Sequence, residues 1–475
     1  MSIKIRITKN KLMRFYVGFL LVIVLGPLLF ILYAKVHENI FTGNFPLSFW
    51  NDLSCSGCNV ILIDVDILRY DHLGIYGYKR NTTPNIDAFF KDGIIFNNQI
   101  SQSSNTLPSY MSIFTSLYPQ EHNVMLLTDL GLSKDKKTLA EILKSNGYST
   151  LGIYFYDDKF NPKLGSSRGF DYFFSTNQRA SEALNYLDSF KKNGKKFFMY
   201  FHPFSPHAPY LTSKEISDKF TNPNYKGKII SDPNYYLGKY SSFNQLEELF
   251  WSKVDKSNSE DIQHLIDLYD AKIFLSDQLL GNFLKEIKKN GQLDNTIVIL
   301  TSDHGEEFGL HGRLFEHTQL YDEDLRVPLL IRYPKVHKKI QINALTQSID
   351  IFPTILDFLK LKYEGNISGR SLTPLIYGYS NYINLYAISQ FSNLTSIRAL
   401  DWKLILNKGV SSELYDLVHD PNEKNNVIDK YQGVARILEE SLLNRLGKVK
   451  YDYSIPSTIK LDEKTKQKLI KTGYF

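Results

Sequence analysis

The chain has 475 residues, 43% of them hydrophobic and 22% charged, a balance that excludes a disordered chain and leaves room for one large domain with a smaller companion. Its formal net charge is +6, but Lys4, Arg6, Lys9, Lys11 and Arg14 supply five of those charges ahead of the first apolar run, leaving +1 for the rest. That even balance argues against a nucleic-acid surface.

Residues 15–34, FYVGFLLVIVLGPLLFILYA, carry no charge over 20 residues. At about 1.5 Å per helical residue such a run crosses a hydrocarbon core about 30 Å thick, which predicts a transmembrane helix. A cleaved signal peptide is the rival, but the run is longer than the usual apolar core and no small-x-small site follows in YAKVHEN. The basic tail at 1–14 places the N-terminus in the cytoplasm, so everything past the span is expected on the extracytoplasmic side, periplasmic or extracellular. A linker at 35–57 leads into the folded part. CSGC spans its junction with the folded part, and in that compartment Cys55 and Cys58 read as a local disulfide with no chemistry of their own.

Beyond the linker, NVILIDV at 59–65 and NTIVILTSD at 295–303 are β-branched runs bounded by turn residues, as expected of buried parallel strands. KTLAEILKSNGYSTLGIY reads as helix, glycine turn and strand, and KKFFMYFHPF as another buried strand. Alternating strands and helices to about residue 376 predict an α/β domain at 58–376 with a mostly parallel central sheet flanked by helices. From 377 to 447 the texture changes to short strands (SIRALDWKLILNKG, SELYDL) and a helix (YQGVARILEESLLNRL), a small C-terminal α+β subdomain, with a polar tail at 448–475.

Ligands in open α/β sheets bind at the carboxyl ends of strands. Asp66 follows one such strand, Asp303 and His304 follow another, and Thr106, in SSNTLPSYMS, opens a helix after the extended IIFNNQIS. Two carboxylates and an imidazole make a cation site, and a hydroxyl completes its shell. Thr106 has a plainer reading as an N-cap, its hydroxyl accepting the first free amides with Pro108 in the first turn. A metal-bound threonine at a helix N-terminus would also be a nucleophile. His202 and His207 in HPFSPHAPY, and His311 and His317 in GLHGRLFEHTQLYDEDL, are further candidates, for a second cation, an anion's oxygens or a leaving group. Asp64 points to the same strand face as Asp66 and so could be another ligand, but it lies deeper and reads rather as a buried hydrogen-bonded carboxylate. Arg69 and Asp71 read as stabilising the following loop, and Glu306 and Glu307 as groups supporting His304.

Taken together, NVILIDVDILRYDHLGIYGYKRNTTPNIDAFFKDGIIFNN, TLPSYMSIFTSLYPQEHNV, TIVILTSDHGEEFG, LYDEDLRVPLLIRYP and SSELYDLVHDPNEKNNV, in this order, resemble the sulfatase branch of the alkaline phosphatase superfamily across about 58–430. The resemblance implies a sulfatase-like sandwich and the roles that go with it. Asp66 matches the first metal-ligand aspartate, Asp303 and His304 the ligand pair of the SDHG motif, and Thr106 the nucleophile. His317 matches a substrate-binding lysine or histidine, His207 a histidine that contacts the anion or assists the leaving group, and His311 a further substrate-binding position. Three departures matter. Thr106 stands where sulfatases carry the Cys or Ser that matures to formylglycine, and threonine cannot give that aldehyde. Tyr110 stands in place of the motif's arginine, and Ile67 in place of the second aspartate of a pair. The stretch GIYFYDD also lacks the Lys-x-His of arylsulfatases. This pattern is similar to that of threonine-nucleophile relatives, the membrane-anchored phosphoethanolamine and glycerophosphate transferases and some phosphonate and phosphodiester hydrolases.

The resulting expectation is a membrane-anchored extracytoplasmic metalloenzyme that hydrolyses or transfers a phosphate-type ester through Thr106. It would use one or two divalent ions, Zn or Mn rather than Ca or Mg, on an anionic lipid or glycan substrate of the cell envelope. The alternatives are a sulfuric ester hydrolase working without formylglycine and a non-catalytic envelope protein that keeps the fold.

Overall fold

In the computed structural model residues 54–125, 131–154, 160–175, 180–202, 206–407 and 411–447 are described. The transmembrane run at 15–34, the basic tail, most of the linker and the tail at 448–475 lie outside them. Among the described residues no helix is long and apolar enough to cross a membrane.

Strand β1 (Asn59–Asp64) is the sequence NVILID, and Val60, Ile61, Leu62 and Ile63 are all completely buried. Alternation sends Val60 and Leu62 into one apolar cluster and Ile61 and Ile63 into another, so this strand lies between two cores. Each of these side chains contributes roughly 2 kcal/mol on burial. The other strands of the sheet are β2 (Ile94–Ile100), β3 (Ser149–Tyr154), β4 (Tyr172–Ser175), β5 (Phe197–His202), β6 (Thr296–Thr301), β7 (Arg326–Arg332) and β8 (Ile340–Gln347). Their order is β4-β3-β5-β1-β6-β7-β2-β8.

All neighbours run parallel except β7, which is antiparallel to both β6 and β2. After β6 the chain makes its excursion at the carboxyl edge and returns through the short helix Asp322–Leu325 directly into β7, without the crossover a parallel strand requires. The carboxyl ends of β1, β2, β5 and β6 therefore share one edge. The helices Thr106–Thr115, Leu139–Ser145 and Ile351–Leu359 cover one face. The 31-residue helix Ser259–Lys289 covers the other, burying Leu265, Leu268, Tyr269, Ile273, Leu280, Phe283, Leu284 and Ile287 at helical spacing. Asn258 caps that helix through Glu260 N–H, and Glu260 and Asp261 at its start and Lys288 and Lys289 at its end complement its dipole.

A second sheet, β9 (Ala387–Phe391), β10 (Leu394–Arg398), β11 (Trp402–Asn407) and β12 (Glu413–Asp416), is antiparallel throughout, in the order β12-β11-β10-β9. Leu438 and Leu442 of the helix Gln432–Gly447 share an apolar cluster with Ile397 and Leu404 of this sheet. It meets the large domain through an apolar cluster that joins Ile100, Leu320, Leu325 and Leu345 to Ala387, Leu394 and Ile405, and through a buried ionic cluster: the completely buried Lys403 lies 3.0 Å from Asp322 and 2.8 Å from Glu423, and Arg398 forks onto Asp322 at 2.9 Å. Cys55 and Cys58 are paired in a disulfide ahead of β1.

Candidate active site

Asp66 lies two residues past β1. Val65 N–H still donates to Thr301 O, and the chain then turns sharply at Ile67, whose φ of +51° is unusual for a β-branched residue. Two bonds hold that turn: Ile67 N–H donates to Asp303 Oδ1 at 3.1 Å and Leu68 N–H to Ser302 Oγ at 2.9 Å. The Ile67 side chain points into the apolar core, so the position where the family pattern has a second aspartate offers no ligand. Arg69 is engaged by both oxygens of Asp71, by Glu306 O and by Glu323, which fixes the loop that follows.

Past β6, His304 N–H donates to Asp303 Oδ1 at 2.9 Å, and Ser302 Oγ–H donates to His304 O at 2.7 Å. Gly305 is required by close approach, because a Cβ there would collide with the Glu323 carbonyl. His304 Nδ1 lies 2.9 Å from Gly305 O, which places the ring proton on Nδ1 and turns the Nε2 lone pair toward the acids.

Thr106 is the first residue of its helix, and the cap position is Asn105, in extended backbone. The hydroxyl of Thr106 is not a cap: Oγ1 lies 3.4 Å from Asp66 Oδ1 and 3.3 Å from His304 Nε2. The serines around it secure the approach to the helix. Ser109 Oγ donates to Ser103 O at 2.8 Å, and Ser101 Oγ bonds the carbonyl of Asp303, tying the helix start to the β6 loop.

The donor set passes a geometric test for a cation. Ligand atoms about 2.1 Å from a four-coordinate ion stand about 3.4 Å apart. Here the separations around His304 Nε2 are 3.3 Å to Thr106, 3.6 Å to Asp303 Oδ2 and 4.0 Å to Asp66, and all four residues are buried. Asp66, Asp303 and His304 offer atoms that all lie within 4.8 Å of one another.

His317 and His207 come to the same place. The His317 ring lies 4.8 Å from that of His304 and 5.4 Å from that of His207, centre to centre. His317 Nδ1 is 3.3 Å from Glu306 Oε1, and Tyr210 O–H donates to Glu306 Oε2 at 2.7 Å. Burial, together with the Glu307 and Asp66 carboxylates, pushes Glu306 up to about 8, and burial pushes Glu307 up to about 7. His311 makes its contacts elsewhere. Its Nδ1 is 3.0 Å from Glu323, its Nε2 3.0 Å from Glu423 O, and its ring stacks on Tyr321 at 3.4 Å, so it fastens the loop to the C-terminal subdomain. Tyr110 is core: it stacks on Phe114 at 4.3 Å and its hydroxyl donates to Ser166 O at 2.6 Å. Tyr210, which sets Glu306, went unread in the sequence, although it closes the same SPHAPY stretch that supplies His207.

Sheet, strand-end acids, histidines and helix-borne hydroxyl define a class: α/β enzymes that act on anionic esters at a divalent-cation site. A model of the sulfatase family matches residues 58–361, and one described as N-sulphoglucosamine sulphohydrolase, C-terminal, matches 309–451. The chain belongs to the sulfatase family, whose enzymes hydrolyse sulfuric or phosphoric esters with a divalent metal. It is 27% identical to the ulvan-active sulfatase of Formosa agariphila over 82% of this chain and 81% of that one. It is 25% identical to the N-acetylglucosamine-6-O-sulfatase of Bacteroides thetaiotaomicron over 83% and 86%. The phosphonate monoester hydrolase of Agrobacterium radiobacter shares the fold, with a TM-score of 0.66 at 22% identity over 82% of this chain and 96% of that one.

Proposed function

We propose that the protein is a membrane-anchored, extracytoplasmic enzyme that hydrolyses or transfers a phosphate-type ester, with Thr106 as nucleophile. The observation that carries this reading is the position of Thr106 Oγ1, within 3.4 Å of both Asp66 and His304 and directed away from any capping role. Asp66, Asp303, His304 and Thr106 would hold a divalent cation, which when bound supplies Lewis acidity, easing loss of the hydroxyl proton and offsetting charge on the ester. The imidazole and the missing second aspartate favour Zn or Mn over Ca, which takes six to eight oxygens.

Thr106 Oγ1 attacks phosphorus in line as the bond to the leaving oxygen breaks, and the N-terminus of its helix adds positive potential at the attacking atom. His317, oriented by Glu306, or His207 beside it gives a proton to the leaving oxygen. Water or an acceptor hydroxyl then attacks the phosphothreonine, and the same histidine takes its proton. With Tyr110 in the core, no guanidinium comes from that position to clamp a dianion, which favours a diester or head-group substrate in the cell envelope. The apolar run at 15–34 supports the anchor.

The names of the sulfatase relatives favour a second reading, a sulfate ester cleaved by the same threonine without formylglycine. Purified protein assayed with Mn²⁺ or Zn²⁺ on aryl phosphodiesters, aryl phosphates and aryl sulfates separates them. Diester turnover that disappears in Thr106→Ala supports the first reading, and turnover confined to sulfates replaces it with the second.

A further inference from the structure

Strands β5, β1 and β6 lie side by side, and their carboxyl ends present His202, Asp64 and Asp303. One ligand atom from each falls within 4.8 Å of the other two. All three are buried, at 3%, 0% and 0% exposure. Asp64 is only half satisfied by the protein. Tyr200 O–H donates to its Oδ2 at 2.9 Å, whereas Oδ1 is buried and has no hydrogen-bond partner. A buried carboxylate oxygen left in that state is costly, of the order of several kcal/mol for a charged group. Asp303 and Asp66 set two further carboxylates beside it, and Tyr200 and the Asp303 backbone are the groups that favour its charge. Nearby Tyr110 directs its hydroxyl away, to Ser166.

We propose that Asp64, His202 and Asp303 form a second divalent-cation site, for Mn²⁺ or Zn²⁺, which shares Asp303 with the Asp66–Asp303–His304 group. Three buried carboxylates against one divalent ion leave a net negative centre, which would repel an anionic ester; two ions reverse that sign. Asp303 is common to both groups, with its Oδ1 held by the Ile67 and His304 amides and its Oδ2 3.6 Å from His304 Nε2. Carboxylate-bridged pairs of ions stand about 3.5–4 Å apart. The mixed imidazole and carboxylate set suits the same transition metals as the first site. The competing arrangement puts a proton on Asp64, and the two differ in the number of ions held.

The inference presupposes the first cation site but not the role of Thr106. Chelator-stripped full-length protein is titrated with Mn²⁺, bound manganese is counted by elemental mass spectrometry, and electron paramagnetic resonance reads spin coupling. Two ions per chain with a coupled-pair spectrum are expected in the wild type, and one uncoupled ion in Asp64→Asn. A wild type that saturates at one uncoupled ion overturns the second site and leaves the first standing; one that holds none removes both. Retention of two ions by Asp64→Asn overturns the assignment to Asp64. Should that variant fail to fold, the wild-type count decides alone.

Discussion

Asp66 Oδ1 and His304 Nε2 each stand within 3.4 Å of the Thr106 hydroxyl, so the smallest change at that residue reads its role directly. Thr106→Ala should lower kcat on the best ester by at least on the order of a thousandfold while thermal unfolding stays nearly unchanged, because the hydroxyl caps no helix amide. Thr106→Ser should keep measurable turnover. The role proposed for His317 as proton donor predicts a different pattern. His317→Ala should slow esters of poorly acidic alcohols by about a hundredfold or more and nitrophenyl esters far less, which a leaving-group series would show. Asp66, Asp303 and His304 were legible because each follows an apolar run that reads as a buried strand, and His317 through the motif that the resemblance supplied. The cap reading of Thr106 was not, since sequence alone does not say that Asn105 takes the cap position. Nor does it show that Asp64 keeps one oxygen without a donor, which depends on Tyr200 from an adjacent strand.

At the scale of elements, the helix that carries Thr106 is held by His122. This imidazole is buried, its Nδ1 accepts from Val124 N–H at 3.1 Å, and its Nε2 lies 3.2 Å from Pro108 O and 3.2 Å from Ser112 Oγ. The ring is therefore needed neutral, and burial pushes it down to about 3. Between pH 6.5 and 3 the unfolded chain holds a proton here that the folded chain does not, so stability falls as pH falls through that window. The contribution at pH 5 is a loss of roughly 2 kcal/mol relative to pH 7.5, to be seen as the difference in denaturant unfolding between wild type and His122→Asn at the two pH values. The contact between subdomains makes its own prediction. Asp322 is held well below the usual carboxylate range, despite its burial, by Arg398 and Lys403. Removing the amine in Lys403→Met leaves Asp322 and Glu423 facing each other in a buried site and should cost about 3–5 kcal/mol in equilibrium unfolding.

For the molecule as a whole, the sheet brings segments more than two hundred residues apart to one edge: Ile67 N–H meets Asp303 across 236 positions. The strands at 59–64 and 296–301, the alternation that makes the sheet mostly parallel, and the small C-terminal sheet with its helix could all be read from apolar runs and turn residues. The reversed β7 could not, because its apolar sequence fits either direction and the short return through Asp322–Leu325 decides. Removing the cation should be felt globally, since Asp66 and Asp303 would then repel each other in a buried site. Chelation should abolish turnover and lower Tm, and Mn²⁺ or Zn²⁺ should restore both better than Ca²⁺. The most direct test is covalent. Full-length protein is quenched in acid during turnover of an aryl phosphodiester and mapped by peptide mass spectrometry. A phosphoryl-type adduct is predicted on Thr106 of the wild type and absent from Thr106→Ala; an adduct on another residue, or full activity in that variant, would contradict the account.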